Sequence, residues 1–294
     1  MAVYQECNNK NVKPKNTGAK EQCLVGVTTK YAFAPDKTFK FETVAEAKSL
    51  DAWNAAIAAK DLIPFYDVEE YAIADTEGTF FEGLNTRYET TPAKKVRTFR
   101  SIIGLCSYSA LNSYNKKEGQ VFEFTEDGAI KAVSTSDNGI KGQNARIEVG
   151  ELLDAVSGTP QSVVVTVNYT NPSEYKNNGA QLRPDGWGGA DIYGIFDITL
   201  AEVSATSSII RFTATAGCAG GDELIDTFVA ANVEVRNLAG ALVTTTFVEA
   251  DPNGVYQVTG TGFATGFTVS LNGVVTVVDM SYESPEPLVI TVTP

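Results

Sequence analysis

Residues Ser162-Val163-Val164-Val165-Thr166-Val167-Asn168-Tyr169 form an unbroken run of β-branched and aromatic character, and similar runs recur along most of the chain between turn signals. Branching at Cβ restricts a side chain in a helix and suits it to a pleated surface, so such runs specify strands. Val96, Thr98 and Arg100 alternate with Arg97, Phe99 and Ser101. Val121-Phe122-Glu123-Phe124 meets the turn Glu126-Asp127-Gly128 and resumes as Ala129-Ile130-Lys131-Ala132-Val133, a hairpin signal. Ile192 to Leu200 and Ser208 to Thr215 read as two more strands. The fold class expected is mainly β: a β-sandwich or barrel with one or two packed helices, followed by a small C-terminal β-sandwich.

The clearest helix covers 44–60. Thr43-Val44-Ala45-Glu46 is a capping box, and Ala47, Leu50, Trp53 and Ile57 then share one helical face, with Trp53 as the anchor on a sheet. A second short helix is expected from Ile147 to Val156, closed by Gly158 and Pro160.

Three segments follow. Residues 1–29 are polar and lysine-rich and read as an N-terminal arm, held by a neighbouring subunit. Residues 30–220 form the main β domain, and 221–294 a β-sandwich that begins after Gly217-Cys218-Ala219-Gly220-Gly221-Asp222. In that last part Val233 and Val235 alternate with Glu234 and Arg236. Phe267, Val269 and Leu271 lead into Asn272-Gly273, and Leu288, Ile290 and Val292 tie the end into a sheet. Between Thr79 and Lys95 a long polar stretch, including Arg87, Tyr88 and Pro92, reads as a protruding loop or β-arm. Long connections of this kind usually contact something.

The chain contains no histidine. It therefore lacks the commonest general base, the commonest metal ligand and the usual partner of a nucleophilic serine or cysteine. The four cysteines, Cys7, Cys23, Cys106 and Cys218, include no CxxC pair, so neither a metal site nor a cofactor is expected. Cys106, in Ile102-Ile103-Gly104-Leu105-Cys106, reads as a buried free thiol, and pairing of Cys7 with Cys23 is disfavoured by a cytoplasmic origin. The loop Ser134 to Gly139 lacks the acidic ligands of a calcium loop, and Gly260-Thr261-Gly262 lacks the lysine and the helix of a phosphate loop. Pro184-Asp185-Gly186-Trp187-Gly188-Gly189-Ala190-Asp191 frames a tryptophan with glycines. Trp187 there either covers its own core or serves as a subunit contact, ligand binding being a third reading.

Net charge is -13, and from Glu151 onward 4 basic residues face 16 acidic ones. Such a surface repels phosphate, which excludes tight nucleic-acid binding but allows DNA to pass without sticking. No apolar run approaches the roughly 20 residues of a membrane span. The first residues lack the apolar core of a signal peptide.

Tyr256-Gln257-Val258-Thr259-Gly260-Thr261-Gly262-Phe263, with Gly266, Val269, Asn272-Gly273 and Leu288 to Val292, resembles an immunoglobulin-like domain of the IPT/TIG kind, although the proline-rich entry strand of that family is weak here. The arm Thr79 to Lys95, the strand Val96 to Leu105, the Phe122 hairpin and the helix beside the sheet resemble a virion protein of tailed bacteriophages, most like a tail tube subunit. That resemblance implies a hexameric ring, stacked through loops and termini around an acidic DNA channel, with copies of itself and other virion proteins as partners. It implies a virion location after assembly in the host cytoplasm. Arg87, Tyr88, Pro92 and Trp187 are the candidate subunit contacts. A capsid auxiliary or head-fibre protein is the alternative in the same class, and a glycan-binding module using the aromatics from Tyr169 to Trp187 is the alternative outside it. Paired carboxylates such as Glu69-Glu70 sit in no catalytic frame, so an enzyme is not expected.

Overall fold

A computed structural model describes residues 24–217, 223–249, 251, 254–277 and 280–293. The chain is mainly β and divides into two units, one ending at Ile192 and the other beginning at Tyr193. In the first unit the strands are β1 (Thr28–Ala34), β2 (Ile63–Pro64), β3 (Glu70–Ile73), β4 (Thr79–Glu82), β5 (Arg87–Thr91), β6 (Lys95–Ile102), β7 (Glu118–Thr125), β8 (Ile130–Ser134), β9 (Ile140–Lys141), β10 (Gln143–Leu153), β11 (Ser162–Tyr169) and β12 (Gly179–Leu182). Short helices α1 (Val44–Ala47), α2 (Leu50–Ala58), α3 (Leu105–Asn112) and α4 (Pro172–Asn178) interrupt them.

The strands β1, β7, β10, β11, β6 and β3 follow one another antiparallel. The chain from Ile63 onward completes the circuit. It bonds first to β1, through Phe65 N to Tyr31 O and Val68 N to Thr29 O, and then to β6 from Glu69 N to Arg100 O. The sheet thereby curls into a barrel. Alternate residues of each strand point inward, and Phe33, Phe65, Phe99, Val121, Ile147, Val163, Val165 and Val167 fill the interior. Tyr31 stacks on Phe99 across it, with ring centroids 4.9 Å apart.

β7 is buried on both faces because α2 covers its outer side. Trp53 is fully buried there against Phe41, Phe122 and Phe124, and its Nε1 donates to Ala47 O at 3.0 Å. The expected helix 44–60 is present but broken. Thr43 accepts from Glu46 N at 3.1 Å, and Ser49 then starts a second helix by accepting from Ala52 N at 3.4 Å. The expected helix from Ile147 to Val156 is instead the second half of β10. Ala145, Ile147 and Val149 are buried at every second position and face Tyr169, Val167 and Val165 of β11, so alternation with a long-range partner overrides local helix signals. Cys106 is also corrected: it is exposed in the first turn of α3 and disulfide-bonded, because a helix start turns successive residues in different directions and an apolar neighbourhood does not imply burial. The other three cysteines, Cys7, Cys23 and Cys218, lie outside the described residues, as does most of the 1–29 arm.

The second unit comprises β13 (Ile195–Ala205), β14 (Ile209–Ala216), β15 (Glu223–Leu224), β16 (Val233–Arg236), β17 (Thr246–Val248), β18 (Val255–Thr259), β19 (Thr268–Leu271), β20 (Val275–Val277), β21 (Met280–Glu283) and β22 (Leu288–Val289). One sheet runs β17-β18-β14-β13-β21-β20 and the other β16-β19-β22. Phe212, Tyr256, Phe228, Phe263, Val269 and Ile290 pack between them, making a sandwich. The division near residue 220 therefore falls inside this unit, since β14 pairs with β18 along its length and β13 pairs with β14 and β21. Asn272-Gly273 joins β19 to β20 in the other sheet, so it is a crossing between layers. Gly262 holds φ +74° and lets the chain turn so that Phe263 enters the core. The end is tied down as expected, with Ile290 N donating to Phe267 O and Thr293 N to Ala205 O.

Candidate assembly arm and the polar end of the barrel

The stretch between Thr79 and Lys95 is a β-arm. β3 and β6 pair in the barrel wall, a bridge between Thr76 and Lys94 continues their ladder, and β4 and β5 pair beyond it. One antiparallel ribbon thus runs from Glu70 to the tip at Gly83-Leu84-Asn85-Thr86 and back to Ile102. Every residue of β4 and β5 is exposed, and the pair belongs to no larger sheet among the described residues. Cross-strand partners share a face of a ribbon. Phe81 pairs with Tyr88, placing two aromatic rings, 60% and 61% exposed, on one face, with Leu84 fully exposed at the tip. The opposite face sets Phe80 among charged groups: Arg87 lies over the Phe80 ring at 4.1 Å and 3.4 Å from Glu82.

Of the sequence-predicted contacts, the structure brings Arg87, Tyr88 and Pro92 together on this arm, all three exposed. The Arg87 charge is already engaged within the hairpin, whereas Tyr88 is turned outward with Phe81. Trp187 lies apart from them. It is half-buried, its Nε1 donates to Lys48 O at 2.8 Å, and its ring meets Trp53 and Phe124. Gly189 beside it has no room for a side chain, because a Cβ would stand 2.9 Å from Phe124 Cβ. The glycine frame lets the loop close onto the aromatic core under α2. Phe81 and Leu84 lie in the stretch read from the sequence as an arm but are not among the predicted contacts; the signal available was the unbroken apolar pair Phe80-Phe81 in an otherwise polar stretch.

Where β6 leaves the arm, the barrel interior turns polar. Glu123 is 2% exposed and points inward from β7. It accepts hydrogen bonds from the Tyr169 hydroxyl, from Thr28 Oγ1 at 3.0 Å and from Gln143 Nε2 at 3.4 Å. Lys131 Nζ lies 3.4 Å away and Lys95 Nζ 3.9 Å. Lys95 donates to Gln143 Oε1 at 2.7 Å and lies 4.0 Å from the centroid of the Tyr169 ring. Burial pushes the Glu123 carboxyl up, but the two lysines and the Tyr169 and Thr28 hydroxyls outweigh it and hold the group below its ordinary range. Burial lowers the Lys95 amine to about 8 despite the attraction of Glu123. Tyr169 and Tyr31 are held well above the ordinary phenol value, by burial first and by the Glu123 charge second. Asp75 ion-pairs with Arg97 and accepts from Val96 N, fixing the arm's root to β6.

The chemistry available is that of adhesion and of a buried charge network. No three His, Cys, Asp or Glu side chains gather as a metal site among the described residues. Asp137, in the loop compared with a calcium site, is engaged by Lys40 and Thr135. Tyr169, one of the aromatics of the glycan-binding reading, is buried inside the barrel. The sequence matches no known protein-family model and no curated protein.

Proposed function

We propose that the protein is a self-assembling structural subunit of a phage virion, most in keeping with a tail tube protein whose copies form stacked, hexameric rings. One observation carries this reading: an antiparallel arm with Phe81 and Tyr88 exposed on one face and Leu84 fully exposed at the tip, fixed at its root by pairing and by the Asp75–Arg97 ion pair. An exposed aromatic ribbon is costly in a solitary chain and useful when another chain covers it. The acidic balance of the chain supports a channel that DNA traverses without adhering. The resemblance of the C-terminal sandwich to immunoglobulin-like appendages of virion proteins supports the same class.

Electron microscopy of the purified protein tests the proposal. Concentrated protein is expected to form rings or tubes, and Phe81→Asp with Tyr88→Asp is expected to leave folded protein that no longer assembles. A species that stays monomeric at high concentration overturns the reading. Particles that decorate a shell without enclosing a channel favour the capsid auxiliary or head-fibre role instead.

A further inference from the structure

Lys95, Gln143 and Glu123 are placed for a reaction with one another. The Lys95 amine donates to the Gln143 carboxamide oxygen at 2.7 Å, which leaves the carboxamide carbon one bond further on. The Gln143 amide nitrogen faces Glu123 Oε1 at 3.4 Å, and that same oxygen is 3.9 Å from the Lys95 amine. One carboxylate oxygen therefore addresses both the nucleophile and the group that would leave. Gln143 is 3% exposed and Glu123 2%, so water has little access to compete.

We propose that Lys95 and Gln143 become joined by an isopeptide bond that the chain forms by itself, with Glu123 as the proton shuttle. Glu123 takes a proton from the Lys95 ammonium. The neutral amine attacks Gln143 Cδ, so the Nζ–Cδ bond forms and the carbonyl π pair moves onto Oε1. When that pair returns, the Cδ–Nε2 bond breaks. The leaving nitrogen takes the proton held by Glu123 and a second from the attacking nitrogen, and departs as ammonium, which leaves Glu123 ionised again and the chain lighter by one ammonia. No oxidant, metal or further reactant enters. Holding amine and amide in contact supplies the largest part of such a rate. Burial gives Lys95 a substantial neutral fraction near pH 8, as nucleophilic lysines require. Lys131, Thr28 and the Tyr169 hydroxyl keep Glu123 ionised and able to accept the first proton.

The bond would have a mechanical effect. β6 and β10 are separated by β11, with Tyr169 standing between Lys95 and Ala145 in the register. A link from Lys95 to Gln143 spans that intervening strand inside the barrel and clamps the strand that emerges from the arm to β10, two strands away. Pull on the arm would then be borne by a covalent bond where hydrogen bonds alone would otherwise resist it. The inference rests on the barrel interior and holds whether or not the arm assembles a virion.

Intact mass of the full chain, reduced and denatured after incubation at mildly alkaline pH, tests it. The expected result is a mass lower by one ammonia than the sequence requires, together with a branched proteolytic peptide joining Lys95 to Gln143. Gln143→Met and Lys95→Met are expected to retain the full mass. Glu123→Asp, which shortens the shuttle but keeps its charge, is expected to slow the loss. Asn272-Gly273 can also lose ammonia by closing a ring on itself, so the branched peptide is the deciding readout. A folded wild-type chain that keeps its full mass, or that loses ammonia without yielding the Lys95–Gln143 peptide, overturns the proposal.

Discussion

Glu123 is the residue on which the barrel's polar end depends. Two lysines, two hydroxyls and a carboxamide converge on it, and removing the carboxylate leaves Lys95 and Lys131 without their shared counter-charge. Breaking a buried pair in this way typically costs about 3–5 kcal/mol. The same cluster gives a pH dependence with a definite sign. With the Lys95 amine free, as in Gln143→Met, the folded chain releases that proton near pH 8 and the unfolded chain near 10.5. The unfolded state then binds more protons between those values, so stability rises with pH across that window. Tyr169 and Tyr31 act oppositely: their folded values lie well above 10.0, so the unfolded chain ionises first and stability falls once pH passes 10. On the acid side Glu123 is lowered from 4.5, and its stabilisation is lost as pH falls through the depressed value. Urea midpoints of Gln143→Met against pH are therefore expected to climb from pH 8, peak near pH 10 and decline beyond. A flat alkaline profile would contradict the buried placement of Lys95.

At the scale of elements, the arm and the barrel wall are one ribbon with two fates. β3 and β6 are anchored by β11 and by inward residues such as Phe99, whereas β4 and β5 have only each other. A two-stranded hairpin has little stability of its own in water, and its residues contribute little to a core they do not touch. Replacing residues 79–91 by a short turn is thus expected to shift the unfolding midpoint of the first unit by no more than a surface change does, about 0.5 kcal/mol. Trp53→Ala is the contrast, since it empties a fully enclosed site among Phe41, Phe122 and Phe124 and is expected to cost about 3–5 kcal/mol. Denaturation of the two variants side by side checks both. The arm was legible in the sequence as a long polar stretch with Phe80-Phe81 inside it. Its pairing could be read only once the Thr76–Lys94 bridge joined its ends to β3 and β6.

For the whole molecule the consequential boundary is the one between Ile192 and Tyr193. Residues 193–294 contain every strand that packs around Phe212 and Tyr256, while residues 221–294 lack β13 and β14, the two strands at the centre of the larger sheet. The longer piece is expected to unfold cooperatively with dispersed amide resonances, and the shorter one to show neither. The sequence placed that boundary later because Gly217 to Asp222 has the composition of a linker. Composition and alternation alone determined the β class, the hairpin at Asp127-Gly128, the strand Ser162–Tyr169, the capped start at Thr43 and the tied C-terminus, because turns, caps and side-chain alternation act over a few residues. Only tertiary structure decided that Ile147 lies in a strand, that Trp187 closes its own core, that Asn272-Gly273 crosses between sheets, and that Lys95, Glu123 and Gln143 meet. Those outcomes depend on partners many residues away, and a residue's own neighbours in sequence carry no record of which strand will lie beside it.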